Sequence, residues 1–113
     1  DQGYLREEAY TTMRIKTLLY KGYSNYFITQ KLMEEQLEVD EAWINSLREE
    51  NHISTDESIN YLIDKKLRLK DIPQDKEQFY KLRDKVIRFL VSKGHNYQSA
   101  KEALNEYLEN KKP

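Results

Sequence analysis

Residues 85–95 read KVIRFLVSKGH, and residues 13–23 read MRIKTLLYKGY. Laid over one another at a spacing of 72 residues, Ile15 matches Ile87, Lys16 matches Arg88, Leu18 matches Leu90, and Lys21-Gly22 matches Lys93-Gly94. Tyr23 falls over His95, and further on Leu32 falls over Leu104. Both stretches carry apolar residues at helical spacing up to a basic residue and a glycine. That is how a helix ends: left-handed backbone is cheapest for glycine, and a cation before it suits the negative end of the helix dipole. A second helical pattern follows each glycine. The unit is therefore a helical hairpin about a basic-glycine-aromatic turn. So small a unit cannot bury its apolar face alone, and neighbouring units must stack.

Outward from these turns the periodicity is helical almost throughout. The first helix is predicted to turn Leu5, Ala9, Met13, Leu18 and Leu19 inward. Ser24 can cap the second, with Phe27, Ile28 and Leu32 inward, and Asp40 a third, with Trp43, Ile44 and Leu47. Ser54 and Glu57 have capping-box spacing and open a fourth, with Ile59, Leu62, Ile63 and Leu67. After a polar break around Pro73, a fifth carries Phe79, Leu82, Val86, Phe89 and Leu90. Asn96 can cap a sixth, with Ala100, Leu104 and Leu108, and residues 110–113 are expected to fray. The fold expected is all-α: short helices, with the hairpin unit recurring, stacked into an elongated, curved array.

Composition narrows the chemistry. The chain has 113 residues with only 3 glycines and 2 prolines, too few turn formers for a β-sandwich or barrel. No two glycines are close enough to cradle a nucleotide phosphate. No cysteine is present, which excludes a disulfide scaffold, a thiol nucleophile and a cysteine-based zinc site. No apolar run approaches the ~18 residues of a membrane span, and no signal peptide is visible. The first residue is Asp1 rather than methionine, so a processed product or a fragment is expected. His52 and His95 lie beside predicted helix ends without metal-ligand spacing. The pairs Glu7-Glu8, Glu34-Glu35 and Glu49-Glu50 are neighbours in sequence, hence about 100° apart on a helix, and read as solvated faces. With no catalytic, metal or cofactor constellation, an enzyme is not expected, nor a cofactor or small-molecule substrate.

The net charge of −1 conceals a division. Residues 1–56 hold 6 basic and 11 acidic residues, and residues 57–113 hold 13 and 9. Lys65, Lys66, Arg68 and Lys70 form one basic cluster; Lys81, Arg83, Lys85, Arg88 and Lys93 form another, interleaved with Phe79, Tyr80 and Phe89. Such side chains can meet phosphates or an acidic protein surface, or can shield apolar surface with their stems. Phe79 and Phe89 fall on the apolar stripe and are expected in the core, whereas Tyr80 is the better exposed aromatic.

Glu8-Ala9-Tyr10, then Lys21-Gly22-Tyr23-Ser24 and Ile28 to Leu32, resemble the middle repeat of the RecX family, regulators of the RecA recombinase. Residues 85–95, with Ala100 and Leu104 after them, resemble the last RecX repeat, the more specific of the two matches. Family members commonly have three three-helix repeats, with a Gly-Tyr-Gly turn where this chain has Gly22-Tyr23-Ser24. The resemblance therefore implies tandem three-helix repeats, residues 1–53 as the middle repeat and 54–113 as the last, with the first repeat missing. The resemblance implies a non-enzymatic, cytoplasmic regulator that binds the RecA–single-stranded DNA filament and inhibits RecA ATPase and strand exchange in recombination, repair and the SOS response. The residues expected to contact RecA or DNA phosphates are Lys65, Lys66, Arg68, Lys81, Arg83, Lys85, Arg88 and Lys93, with Gly22, Tyr23 and Gly94 in structural turns. Two other readings are a stand-alone helix-turn-helix-like DNA-binding module using residues 24–35, whose only cation is Lys31, and a general helical protein-interaction scaffold. No membrane association is expected.

Overall fold

The structure, a computed structural model, describes residues 2–111, with side chains from Glu7 onward. It is built from six helices: α1 (Gln2–Tyr20), α2 (Asn25–Glu34), α3 (Glu41–Asn51), α4 (Thr55–Leu67), α5 (Lys76–Ser92) and α6 (Tyr97–Lys111). No strand occurs among the described residues. Helix starts follow the capping chemistry. Ser24, Asp40, Ser54 and Asp75 each accept the backbone N–H three residues on, from Phe27, Trp43, Glu57 and Gln78. Asn96 does the same for Ser99. Each cap satisfies a donor that the helix itself leaves without a partner.

The apolar faces divide into two cores. Ile15, Leu18, Leu19, Ile28, Leu32, Val39, Ile44 and Leu47 pack together from α1, α2 and α3. Ile59, Leu62, Ile63, Leu67, Val86, Ile87, Leu90, Ala100, Leu104 and Leu108 form the second core, from α4, α5 and α6. Each glycine-turn hairpin is completed by a third helix, but from opposite sides in the chain: α3 follows the α1–α2 hairpin, and α4 precedes the α5–α6 hairpin. The molecule is correspondingly long, 61 × 24 × 22 Å. Its radius of gyration is 16.7 Å, against about 13 Å for a compact chain of this length. It exposes 8018 Å², where a compact monomer of its mass exposes roughly 6,600 Å².

Two expectations need correction. Ala9 and Met13 face solvent on α1, and the buried stripe runs through Thr11, Ile15, Leu18 and Leu19. Met13 precedes Leu18 by five positions, about 140° around the helix, so the two cannot share a face. Thr11 is tolerated inside because its hydroxyl donates to the Glu7 carbonyl. Leu5 lies outside the residues with described side chains. At the other end, Asn110 and Lys111 belong to α6. The Lys111 ammonium donates to the Leu67 and Arg68 carbonyls, tying the end of α6 to the end of α4; Lys112 and Pro113 lie outside the described residues.

Four helices end in left-handed backbone, at Gly22, Gln36, His52 and Gly94. Gln36 and His52 show that this chain accepts side chains there, so φ alone does not demand glycine at the other two. Close approach does. A Cβ on Gly22 would lie 2.7 Å from Leu62 Cγ, and one on Gly94 would lie 2.1 Å from Ser24 Oγ and 2.8 Å from Phe27 Cβ. Both clashes reach across from one three-helix group to the other. Gly94→Ala should therefore cost more than the ~1–2 kcal/mol of a left-handed alanine, because it also displaces the Ser24 cap. Urea denaturation of Gly94→Ala beside Gln36→Gly, which removes a Cβ from left-handed backbone, tests this; a loss in the first no larger than the gain in the second would show that backbone conformation alone matters.

Candidate functional site

The two glycine turns, matched in sequence, meet in space. The Ser24 N–H donates to the Lys93 carbonyl at 3.1 Å. His95 Nε2 lies 2.7 Å from the Gly22 carbonyl oxygen. A carbonyl can only accept, so Nε2 carries the hydrogen. Helix packing is otherwise concentrated within each group, and the turns form much of the junction between them.

Arg48 completes that junction. Its Nε donates to Asn25 Oδ1, one terminal nitrogen to the Ile53 carbonyl and Ser58 Oγ, and the other to the Tyr23 carbonyl. The residue is 6% exposed and none of these partners is a carboxylate. Four oriented dipoles thus carry a buried positive charge, and burial pushes the guanidinium below its usual range. Nothing in the surrounding SLREEN pattern distinguishes Arg48 from a solvated helix residue; its role depends on contacts with residues 23, 25, 53 and 58. His95, 4% exposed, is held below the ordinary histidine range by burial, opposed by its bond to the Gly22 carbonyl and reinforced by the Arg48 charge. His52, by contrast, is the exposed left-handed cap of α3.

Outward from the junction, three rings and two lysines form a ladder of contacts. Phe27 and Tyr23 stack with centroids 4.1 Å apart and planes 4° from parallel. Lys93 Nζ lies 5.2 Å from the Tyr23 centroid and 5.4 Å from that of Phe89, and Lys66 Nζ lies 4.3 Å from the Phe89 centroid. Cation–π attraction orders these ammonium groups without neutralising them. Beside Phe89 opens a groove of about 310 Å³ between the end of α4 and α5. Four cations, Lys66, Lys70, Lys85 and Arg88, line it over Leu67, Leu82, Val86 and Phe89.

The eight cations expected from the sequence are therefore not one cluster. Lys66, Lys85, Arg88 and Lys93 gather at the groove and its edge, joined by Lys70. Arg83 turns to the other side of α5 and donates to Asn105 Oδ1 on α6. Lys81 pairs with Glu77 at 3.5 Å within α5. Lys65 and Arg68 are exposed near the end of α4. Among the described residues, the ion pairs within 4.0 Å are Arg14–Glu35 and Lys81–Glu77; neither involves a groove cation. Phe79 and Phe89 are half-buried against the second core, and Tyr80 is 48% exposed. A larger cleft, about 740 Å³, lies in the first group against Glu7, Glu8, Glu38 and Trp43; its charge is wrong for an anion.

No group of three or more metal-ligating side chains occurs among the described residues. No helix among them is long and apolar enough to cross a membrane. No protein-family model, curated protein or solved structure matches the chain.

Proposed function

We propose that this chain is a non-enzymatic, RecX-like regulator that docks on the RecA–single-stranded DNA filament and inhibits RecA ATPase and strand exchange. One observation carries the reading: a groove bearing Lys66, Lys70, Lys85 and Arg88, none of them ion-paired within 4.0 Å among the described residues. Several cations on one face suit repeated anionic charge, whether DNA phosphates or an acidic protein surface. The rings of the ladder are occupied by each other and by lysines, which favours contact with a charged backbone over base stacking. A chain 61 Å long can also spread its contacts along a filament groove. In this reading the tandem three-helix arrangement of RecX supplies the elongated, curved face, and the protein works in the cytoplasm.

The deciding experiment titrates RecA's DNA-dependent ATPase with this chain. Inhibition at concentrations comparable to RecA is expected, and salt should weaken it, because released counterions oppose binding as ionic strength rises. Full ATPase activity with the chain well above the RecA concentration would overturn the reading. Tight, salt-sensitive binding to bare duplex DNA without any effect on RecA would favour the stand-alone DNA-binding module.

A further inference from the structure

The ladder has a structural peculiarity: it does not belong to one three-helix group. Phe27 and Tyr23 stand on the first, whereas Lys93, Phe89 and Lys66 stand on the second. Its continuity depends on the junction, and the junction is polar. It is held by the Ser24–Lys93 backbone bond, the His95–Gly22 bond and the Arg48 network.

We infer that this junction is an acid-sensitive joint: with His95 neutral it is closed and the ladder is continuous, and protonation of His95 beside Arg48 separates the two turns and parts Lys93 from Tyr23. The surroundings of His95 explain the direction. From α3 the charged group acting on it is the Arg48 guanidinium. The α1–α2 turn presents the Gly22 carbonyl, already satisfied by Nε2–H, so acid adds its proton at Nδ1. Around the same joint α4 supplies Leu62 and Ser58, both uncharged, with Ser58 already engaged by Arg48. On its own turn the nearest cation is Lys93, attracted to the Tyr23 and Phe89 rings. A second positive charge in this desolvated space faces Arg48 without a new counterion, and moving the groups apart into water relieves it.

Above about pH 6.5 the imidazole is neutral in both the closed and the open or unfolded states, so the joint loses nothing there. As pH falls below that value, the solvated form takes up the proton first, because burial holds the closed form's affinity for it lower. The stability of the closed joint then declines until the pH passes the closed-state value. The joint stands independently of what the surface binds; its bearing on regulation rests on the function proposed above.

The chain has no native cysteine, so two spin labels can be placed without background, at Gln30→Cys on α2 and Glu106→Cys on α6, both exposed. Pulsed-EPR distances are compared at pH 7.5 and pH 5, with circular dichroism recorded at each. The expected result is one narrow distance at the higher pH and a broader, shifted distribution at the lower, with helix content unchanged. His95→Gln, whose amide can still donate to Gly22, should keep the narrow distribution at both, and His52→Gln should respond like the parent. A distribution independent of pH, a response that survives in His95→Gln or vanishes in His52→Gln, or loss of helix content with the distance change would each overturn the joint. Filament inhibition measured on the same unlabelled proteins separates the two claims: a pH-dependent distance without any inhibition at pH 7.5 upholds the joint and removes the functional reading.

Discussion

Arg48→Met should destabilise the chain by about 3 kcal/mol or more, although methionine fills much of the same volume. The arginine donates to residues in four places: Tyr23 in the first turn, Asn25 at the start of α2, Ile53 in the α3–α4 link and Ser58 in α4. Without it, two backbone carbonyls and two side chains lose their donor in a region where Arg48 itself is only 6% exposed. Hydrogen bonds to a charged group are each worth about 1.5–3 kcal/mol, offset here by the cost of burying an unpaired guanidinium. Arg48→Lys should recover only part of the loss. An ammonium is a point donor and cannot span partners that a planar fork reaches in several directions. The expected readout is a fall in thermal midpoint on the order of 10 °C for Arg48→Met, with Arg48→Lys between it and the parent. A methionine variant as stable as the parent would mean that this network adds no net stability.

The second large effect concerns binding. If the chain acts as proposed, Lys70→Glu, Lys85→Glu and Arg88→Glu, combined, should weaken the proposed filament inhibition about 100-fold or more at low salt, because each contact to a phosphate contributes its own released counterion. The salt dependence should flatten as well, by a slope of about 2 if all three meet a single strand. All three residues are exposed and none has an ion pair within 4.0 Å among the described residues, so stability should stay within about 0.5 kcal/mol of the parent. Arg83→Glu is the internal comparison. Arg83 belongs to the same run of sequence but faces Asn105 on α6, so its reversal should leave inhibition nearly intact. A folded triple variant that inhibits as well as the parent would remove the groove from the mechanism.

The contrast between Arg83 and Arg88 shows how far a linear pattern reaches. Both stand in one basic run on α5, yet five residues place them about 140° apart on a helix, enough to send one to the groove and the other to α6. That separation is legible once the helix is phased. The same arithmetic, applied back from Leu18 and Leu19, identifies Thr11 and Ile15 as buried and leaves Met13 outside. Lys70 was within the first basic cluster but becomes a groove residue only because the chain after α4 brings it beside Lys85 and Arg88. Arg48 carried no signal at all, since helix α3 in isolation would leave it in water.

The amino-acid pattern alone settles the local architecture: six helices, their caps at Ser24, Asp40, Ser54 and Asn96, and the buried faces of α4 and α6. Capping and periodicity act within a few residues, so a sequence displays them directly. It also marks Gly22 and Gly94 as equivalent, though not why both must be glycine. Tertiary structure supplies that reason: the two turns press against Leu62, Ser24 and Phe27 of the opposite group. It likewise decides that His95 reaches the Gly22 carbonyl across 73 residues, and that one ladder of rings and lysines crosses both groups. Such contacts depend on how two finished bundles meet, and no local spacing records the meeting.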